Sequence, residues 1–263
     1  MIVFAAVVPH SPLLAPSVGK EKRDALKATL AAYEELEHAL YLAKAETLAI
    51  ISPHAASYPD AMSANMSPKY VGTLKAFGDH QTTVEAKGDF LLLDRMQREL
   101  RAEGVPFTLT SSEELDYGFT IPLLLLTAHL KDWRLLPLAP SLLPAQAHVN
   151  FGKQLNSVLH RESARVAVIA SADLSHKLHE KSPGGASVEG PAFDATMRSK
   201  LASLDLQGLL ALDAQAVEAA GQCGYRPIMT LAGALDGMNV TPKELAYEAP
   251  FGVGYLTMRF DLA

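Results

Sequence analysis

Apolar and polar positions follow two rhythms along this chain. Short strand candidates rich in Val, Ile or Leu lie at 2–8, 47–52, 82–86, 133–139 and 165–171, most of them apolar throughout. Between and after them, apolar residues recur three and four apart. That spacing predicts helices over 20–44, 89–103, 120–130, 145–160, 191–205, 206–220 and 225–236. The closing "KELAYEAPFGVGYLTMRF" reads as two short strands. Strands that are apolar on both faces need cover on both sides. The alternation therefore predicts an α/β fold, a single domain over 1–263 with a central mixed, mostly parallel sheet and helices on both faces. No linker or repeat divides the chain; one Gly/Ser/Pro loop, "EKSPGGASVEGP" at 180–191, joins a strand end to a helix.

Composition narrows the setting. The 263 residues are 49% hydrophobic, enough for a sizeable core. A net charge of −6 without a Lys/Arg stripe argues against a nucleic-acid partner. One cysteine allows no intrachain disulfide and suits a reducing cytoplasm. Residues 2–8 are too short to cross a bilayer and lack a basic flank, and "FTIPLLLLTAHL" is also too short. A cytoplasmic protein with no membrane partner is the expectation.

The chemistry sits where strands end. In α/β sheets, ligands bind beyond the carboxyl ends of strands. His10 follows the first apolar run in "VVPHSPLL", and His54 follows the second in "ISPHA". A third case is "RVAVIASADLSHKLH", where Ser171, Asp173, Ser175, His176 and His179 trail a strand. Three strand ends delivering imidazole to one edge suit a metal or acid–base site. Pro9 and Pro12 flank His10 and stiffen its exit from the strand, a preorganisation that serves a metal ligand. The alternative for each residue alone is a loop histidine bonded to backbone. His38 and His160 fall on helical patterns and read as surface or packing residues; His80, His129, His148 and His179 have no comparable context.

Two histidines supply part of a shell for iron, zinc or copper, and a 2-His-1-carboxylate triad needs one more anionic ligand. Glu218, Cys223 and Glu248 are the downstream candidates. Cys223 precedes a helix expected from Tyr225, where a helix N-terminus lowers a thiol pKa. Its alternative is a small buried apolar residue, and that of Glu248 a structural salt bridge.

Taken in order, "VVPHSPLL", "ISPHA", "LDYGFTIPL", "SADLSH", "CGYRPIMTLAGAL" and "YEAPFGVGYL" resemble the LigB-like class III extradiol ring-cleavage dioxygenases, a superfamily that also contains Memo-like proteins. The resemblance spans essentially the whole chain. The ordered set is specific to the superfamily, less so to a reaction. It implies one α/β domain with a mononuclear metal near the sheet edge. In ring-cleaving members Fe(II) is held by two histidines and a glutamate, and catechol chelates the iron beside O2. By position it implies His10 and His54 as metal ligands. It also implies His176 as the acid–base group that takes a proton from the bound hydroxyl, a role an imidazole with pKa near ~6.5 can fill.

Two departures from the family pattern matter. Asp116-Tyr117-Gly118 stands where "DHG" is usual, so a second catalytic histidine has become Tyr117. A phenol with pKa near ~10 still donates a hydrogen bond but shuttles protons poorly at neutral pH. Cys223 falls where the ligand glutamate is expected, in a "CG..PI" setting like the Memo branch. A 2-His-1-Cys shell is softer and suits copper or zinc as well as iron; if a carboxylate is required, Glu218 or Glu248 supplies it. The resemblance implies Fe(II) first as cofactor, with zinc or copper as alternatives. It implies a small aromatic diol or aminophenol and O2 as substrates, and a homo-oligomer with room for a second, different chain. Two functions stay open: an extradiol dioxygenase, or a Memo-like metal-binding protein with a redox or ligand-binding role and no ring cleavage.

Overall fold

Valine and isoleucine fit a pleated, covered surface, and β1 (Ile2–Val8) is buried at every position except the half-buried Val3. Its alternation splits the core in two. Ala5 and Val7 join one apolar cluster, while Phe4, Ala6 and Val8 join another on the opposite face. The computed structural model describes all 263 residues.

After β1 come single turns, including α1 (Pro16–Gly19), and then α2 (Lys27–Leu42). The helix expected from residue 20 starts later. Lys20–Leu26 winds as a tighter 3-10 stretch, because Lys20 takes a left-handed φ of 47° and only Leu26 there finds a buried contact. There follow β2 (Thr47–Ile51), β3 (Met62–Asn65), β4 (Lys69–Leu74), β5 (Asp79–Gly88), α3 (Phe90–Ala102), β6 (Phe107–Thr110), β7 (Glu114–Leu115) and α4 (Tyr117–Leu126). The chain continues through β8 (Arg134–Ala139), α5 (Ala145–His160), β9 (Val166–Ser171), α6 (Glu189–Ala202), α7 (Leu206–Leu210), α8 (Ala214–Ala219), α9 (Tyr225–Leu235), β10 (Val240–Glu248) and β11 (Tyr255–Leu262).

One mixed sheet carries all eleven strands in the order β10-β11-β1-β9-β2-β8-β5-β4-β7, with β3 pairing β8 and β6 off that path. Its centre, β1-β9-β2-β8, is parallel, and antiparallel strands extend it on both sides. Helices α3, α5, α6 and α9 cover one core; α2 and α4 cover the other. The expected fold class is therefore the observed one.

The structure corrects the sequence pattern in two further details. β3, β4, β6 and β7 escape the pattern: β3, β6 and β7 hold four residues or fewer, and Pro68 and Pro106 stand immediately before β4 and β6. The helix expected over 206–220 is two helices, because Asp205 and Asp213 each cap a separate start, accepting from Gly208 N at 2.7 Å and Ala216 N at 2.9 Å. No helix is long and apolar enough to cross a membrane.

Candidate metal centre

The centre is positioned by register. Val8 of β1 pairs with Ser171 of β9, and Ile51 of β2 pairs with Ala170, so three neighbouring strands end almost level. His10 and His54 leave β1 and β2, and the segment after β9 rises between them.

His10 is pinned from several sides. Its own amide donates to Asp173 Oδ1 at 2.9 Å, and the carbonyl of the preceding Pro9 accepts from the Tyr33 hydroxyl. His10 Nδ1 lies 2.9 Å from Ser171 Oγ, and that hydroxyl donates its only proton to the Gly118 carbonyl at 2.6 Å. Ser171 therefore has only lone pairs to offer the ring. The ring proton must sit on Nδ1, leaving the Nε2 lone pair directed into the centre.

His54 is more exposed and is oriented by its neighbours. Its ring stacks on Tyr117 with centroids 4.3 Å apart and planes 27° apart, and Tyr117 Oη lies 3.4 Å from His54 Nδ1. Ser52 Oγ accepts from the His54 amide at 3.3 Å and donates to Asp116 Oδ1 at 2.7 Å. The same carboxylate oxygen accepts from Gly118 N at 2.7 Å and so caps α4. A Cβ at Gly118 would fall 2.3 Å from Ser52 Oγ, which accounts for the glycine after Tyr117.

Cys223 arrives on the turn before α9, beside an antiparallel bridge between Ser175 and Gln222. Its Sγ lies 3.4 Å from His10 Nε2, and the two histidine Nε2 atoms are 3.0 Å apart. The three donor atoms lie within 4.8 Å of one another. Metal–nitrogen bonds near ~2.1 Å and metal–sulfur bonds near ~2.3 Å give N···N and N···S spacings of about 3–3.6 Å at ordinary ligand angles. Both His10 contacts fall in that range, and with the three donors within 4.8 Å of one another the set could hold one divalent ion of the borderline-to-soft class once His54 and Cys223 close on it.

Electrostatics favour neutral ligands. Burial, aided by the nearby His176, pushes His10 down to about 3. Burial and then His10 push His54 down to about 4. Both rings are thus neutral at pH 7, the form that binds metal. The expectation for Cys223 is reversed. Burial, followed by the charge of Asp173, pushes its thiol well above the usual range, and the helix N-terminus does not compensate. Asp173 is also buried, which raises its carboxyl to about 6 against the stabilising His10 amide. Its Oδ2 stands 3.7 Å from His10 Nε2, so a carboxylate lines the centre after all.

The carboxylates expected from sequence do not meet the two histidines. Glu218 is exposed on α8. Glu248 accepts from the Thr29 amide at 2.7 Å and holds the start of α2. His176 is half-buried, with its amide donating to the Gly221 carbonyl at 3.2 Å and a buried Nδ1 that has no hydrogen-bond partner. His179 is exposed and accepts from the Lys181 amide at 3.1 Å. His38 and His160 lie on α2 and α5 as expected; His148 is buried on α5 with Nδ1 near the Pro144 carbonyl, and His129 pairs with Glu37. The sequence pattern marks Ser171 and Asp173 but assigns them no task, and it misses the Ser52–Asp116 link. The Asp-x-Gly before an apolar helix is the available signal, as an N-cap.

The description "catalytic LigB subunit of aromatic ring-opening dioxygenase" matches residues 4–258. The chain belongs to that family. Among individual relatives, protein CA_C1420 of Clostridium acetobutylicum is 25% identical over 264 aligned residues, covering 97% of this chain. The chain spans 56% of that relative's length. The crystal structure of uncharacterized protein JW3007 from Escherichia coli K12 has the same fold, with a TM-score of 0.64 at 18% identity over 98% of this chain and 99% of that one.

The Ser171 contact gives the first prediction. Ser171→Ala removes the acceptor that fixes the His10 tautomer and should weaken zinc binding by about 10–100-fold. Competition with a chromophoric chelator reads the change, and an unaltered affinity would show that this hydrogen bond does not prepare the ligand.

Proposed function

We propose that this LigB-family chain binds one divalent metal through His10 Nε2, His54 Nε2 and Cys223 Sγ, ferrous iron before zinc or copper. With it, the protein opens the ring of a small aromatic diol or aminophenol using O2. The observation that carries the reading is the meeting of two histidines from level strand ends with the Cys223 thiol from the turn before α9, next to a histidine with an unused buried nitrogen. Ferrous iron would supply the one-electron chemistry that lets O2 react with a ring whose electrons are all paired.

The chain's own groups divide the remaining work. His176 takes a proton from the diol hydroxyl through an imidazole whose ring nitrogens no protein group occupies, its Nδ1 being buried without a partner. The Asp173 carboxylate, near enough to interact with both His54 and His176, offsets the positive charge that results. Tyr117 stays protonated because burial pushes its phenol up, so it acts as a hydrogen-bond donor rather than a base. The reaction runs in the cytoplasm, where an unpaired thiol stays reduced.

A second reading is favoured by one specific residue. Cys223 makes the donor set softer than a 2-His-1-carboxylate triad, which suits a Memo-like copper- or zinc-binding protein with a redox or ligand-binding role. Metal analysis of anaerobically purified protein, followed by oxygen uptake with catechols and aminophenols, separates the two. About one equivalent of iron with a yellow ring-fission product supports ring opening. Copper or zinc without oxygen uptake decides for the second reading.

The thiol adds a prediction of its own. Both imidazoles are neutral and the Cys223 thiol protonated near pH 7, so metal loading should release one proton. Calorimetry of zinc binding in buffers of different ionisation enthalpy measures that number. Cys223→Ala should release none; an unchanged count and affinity would move the third ligand away from Cys223.

A further inference from the structure

We propose that Phe77 and Tyr117 form an aromatic corner that selects planar rings at the metal centre. This deepens the ring-opening reading and rests on it for the substrate class.

Three rings run in a row from the centre outward. Tyr117 stacks on His54 at 4.3 Å, and its centroid lies 5.6 Å from that of His10. Phe77 meets Tyr117 at 5.3 Å with planes 82° apart. Two rings at nearly a right angle leave a corner into which a third can stack on one and meet the other edge-to-face, the two arrangements aromatic pairs prefer. Phe77 is 39% exposed, so part of its ring surface is free to be covered.

The corner is tied in place by its turn and its neighbours. Phe77 belongs to a short turn between β4 and β5, closed by Gly78 at a left-handed φ of 83°. Asp79 then accepts from the amides of Gln81 and Thr82 at 2.9 and 3.0 Å, and from the Ser17 hydroxyl, which ties the turn to the segment after β1. One layer below, a Cβ at Gly72 of β4 would stand 2.4 Å from Thr120 Oγ1, so the hairpin lies directly against the helix that begins at Tyr117. A preorganised corner loses little entropy when a ring enters.

A small chelating anion without a ring gains nothing from this corner. The test uses zinc-loaded protein and equilibrium binding, so it needs neither O2 nor turnover. 4-Nitrocatechol, followed by its absorbance, is the aromatic probe; oxalate, followed by competition, is the ringless chelator. Phe77→Ala should weaken 4-nitrocatechol binding by about tenfold, the scale of one aromatic pair with its buried area, and leave oxalate unchanged. Phe77→Leu should fall between, since it keeps apolar surface but no ring. Equal 4-nitrocatechol affinity in Phe77→Ala and the parent, equal losses for both probes, or no 4-nitrocatechol binding by the parent would each overturn the proposal. An absence of oxygen uptake would sink ring opening and leave this binding result standing.

Discussion

His10→Ala should empty the metal centre. The side chain is 1% exposed and supplies the donor atom that lies close to both other donors, 3.0 Å from His54 Nε2 and 3.4 Å from Cys223 Sγ. Without it, His54 and Cys223 remain as a two-donor site. Tight structural sites gain roughly 3 kcal/mol or more per ligand, so affinity should fall at least a hundredfold. The fold should weaken too. Ser171 Oγ loses its buried donor, at a cost of about 1–3 kcal/mol, though the amide of residue 10 keeps its bond to Asp173. Metal content after dialysis and a thermal melt read both effects. Retention of a full equivalent would show that the metal sits elsewhere.

The second large effect separates proton transfer from binding. His176→Ala removes a ring whose Nδ1 makes no hydrogen bond, so little structure depends on it. Metal content should stay at one equivalent, while turnover falls about 10²–10⁴-fold, the usual contribution of a positioned acid–base group. Anaerobic binding of 4-nitrocatechol should persist. If the variant loses its metal, His176 is a ligand, and the division of roles between it and Cys223 must be redrawn.

The parts of this protein legible in sequence are those governed by local pattern. β1, β2, β8 and β9 are apolar on both faces because helices cover both faces, and their limits are readable to within a residue. The histidines at their ends follow from the same pattern. What stays hidden depends on contacts far apart in the chain. β3 and β6 hold only four residues each and pair with one another across the long excursion from 66 to 106. Glu248 looks like a ligand candidate until its bond to the Thr29 amide appears, between residues 219 positions apart. Cys223 shows the limit of a local rule. A helix N-terminus lowers a thiol pKa in open surroundings, but here burial and Asp173 outweigh it.

The strand order carries a consequence for how the centre is assembled. The two histidines belong to β1 and β2, which are not bonded to each other; β9 separates them, placing their strands about 9–10 Å apart. Both imidazoles therefore precede in sequence the strand that brings them into register. Only when residues 166–171 thread between the two does the gap become a pair of aligned donors, and the thiol lies later still in the chain. A chain without β9 would hold the two imidazoles unaligned, so the candidate donor set depends on a strand that carries none of its three members.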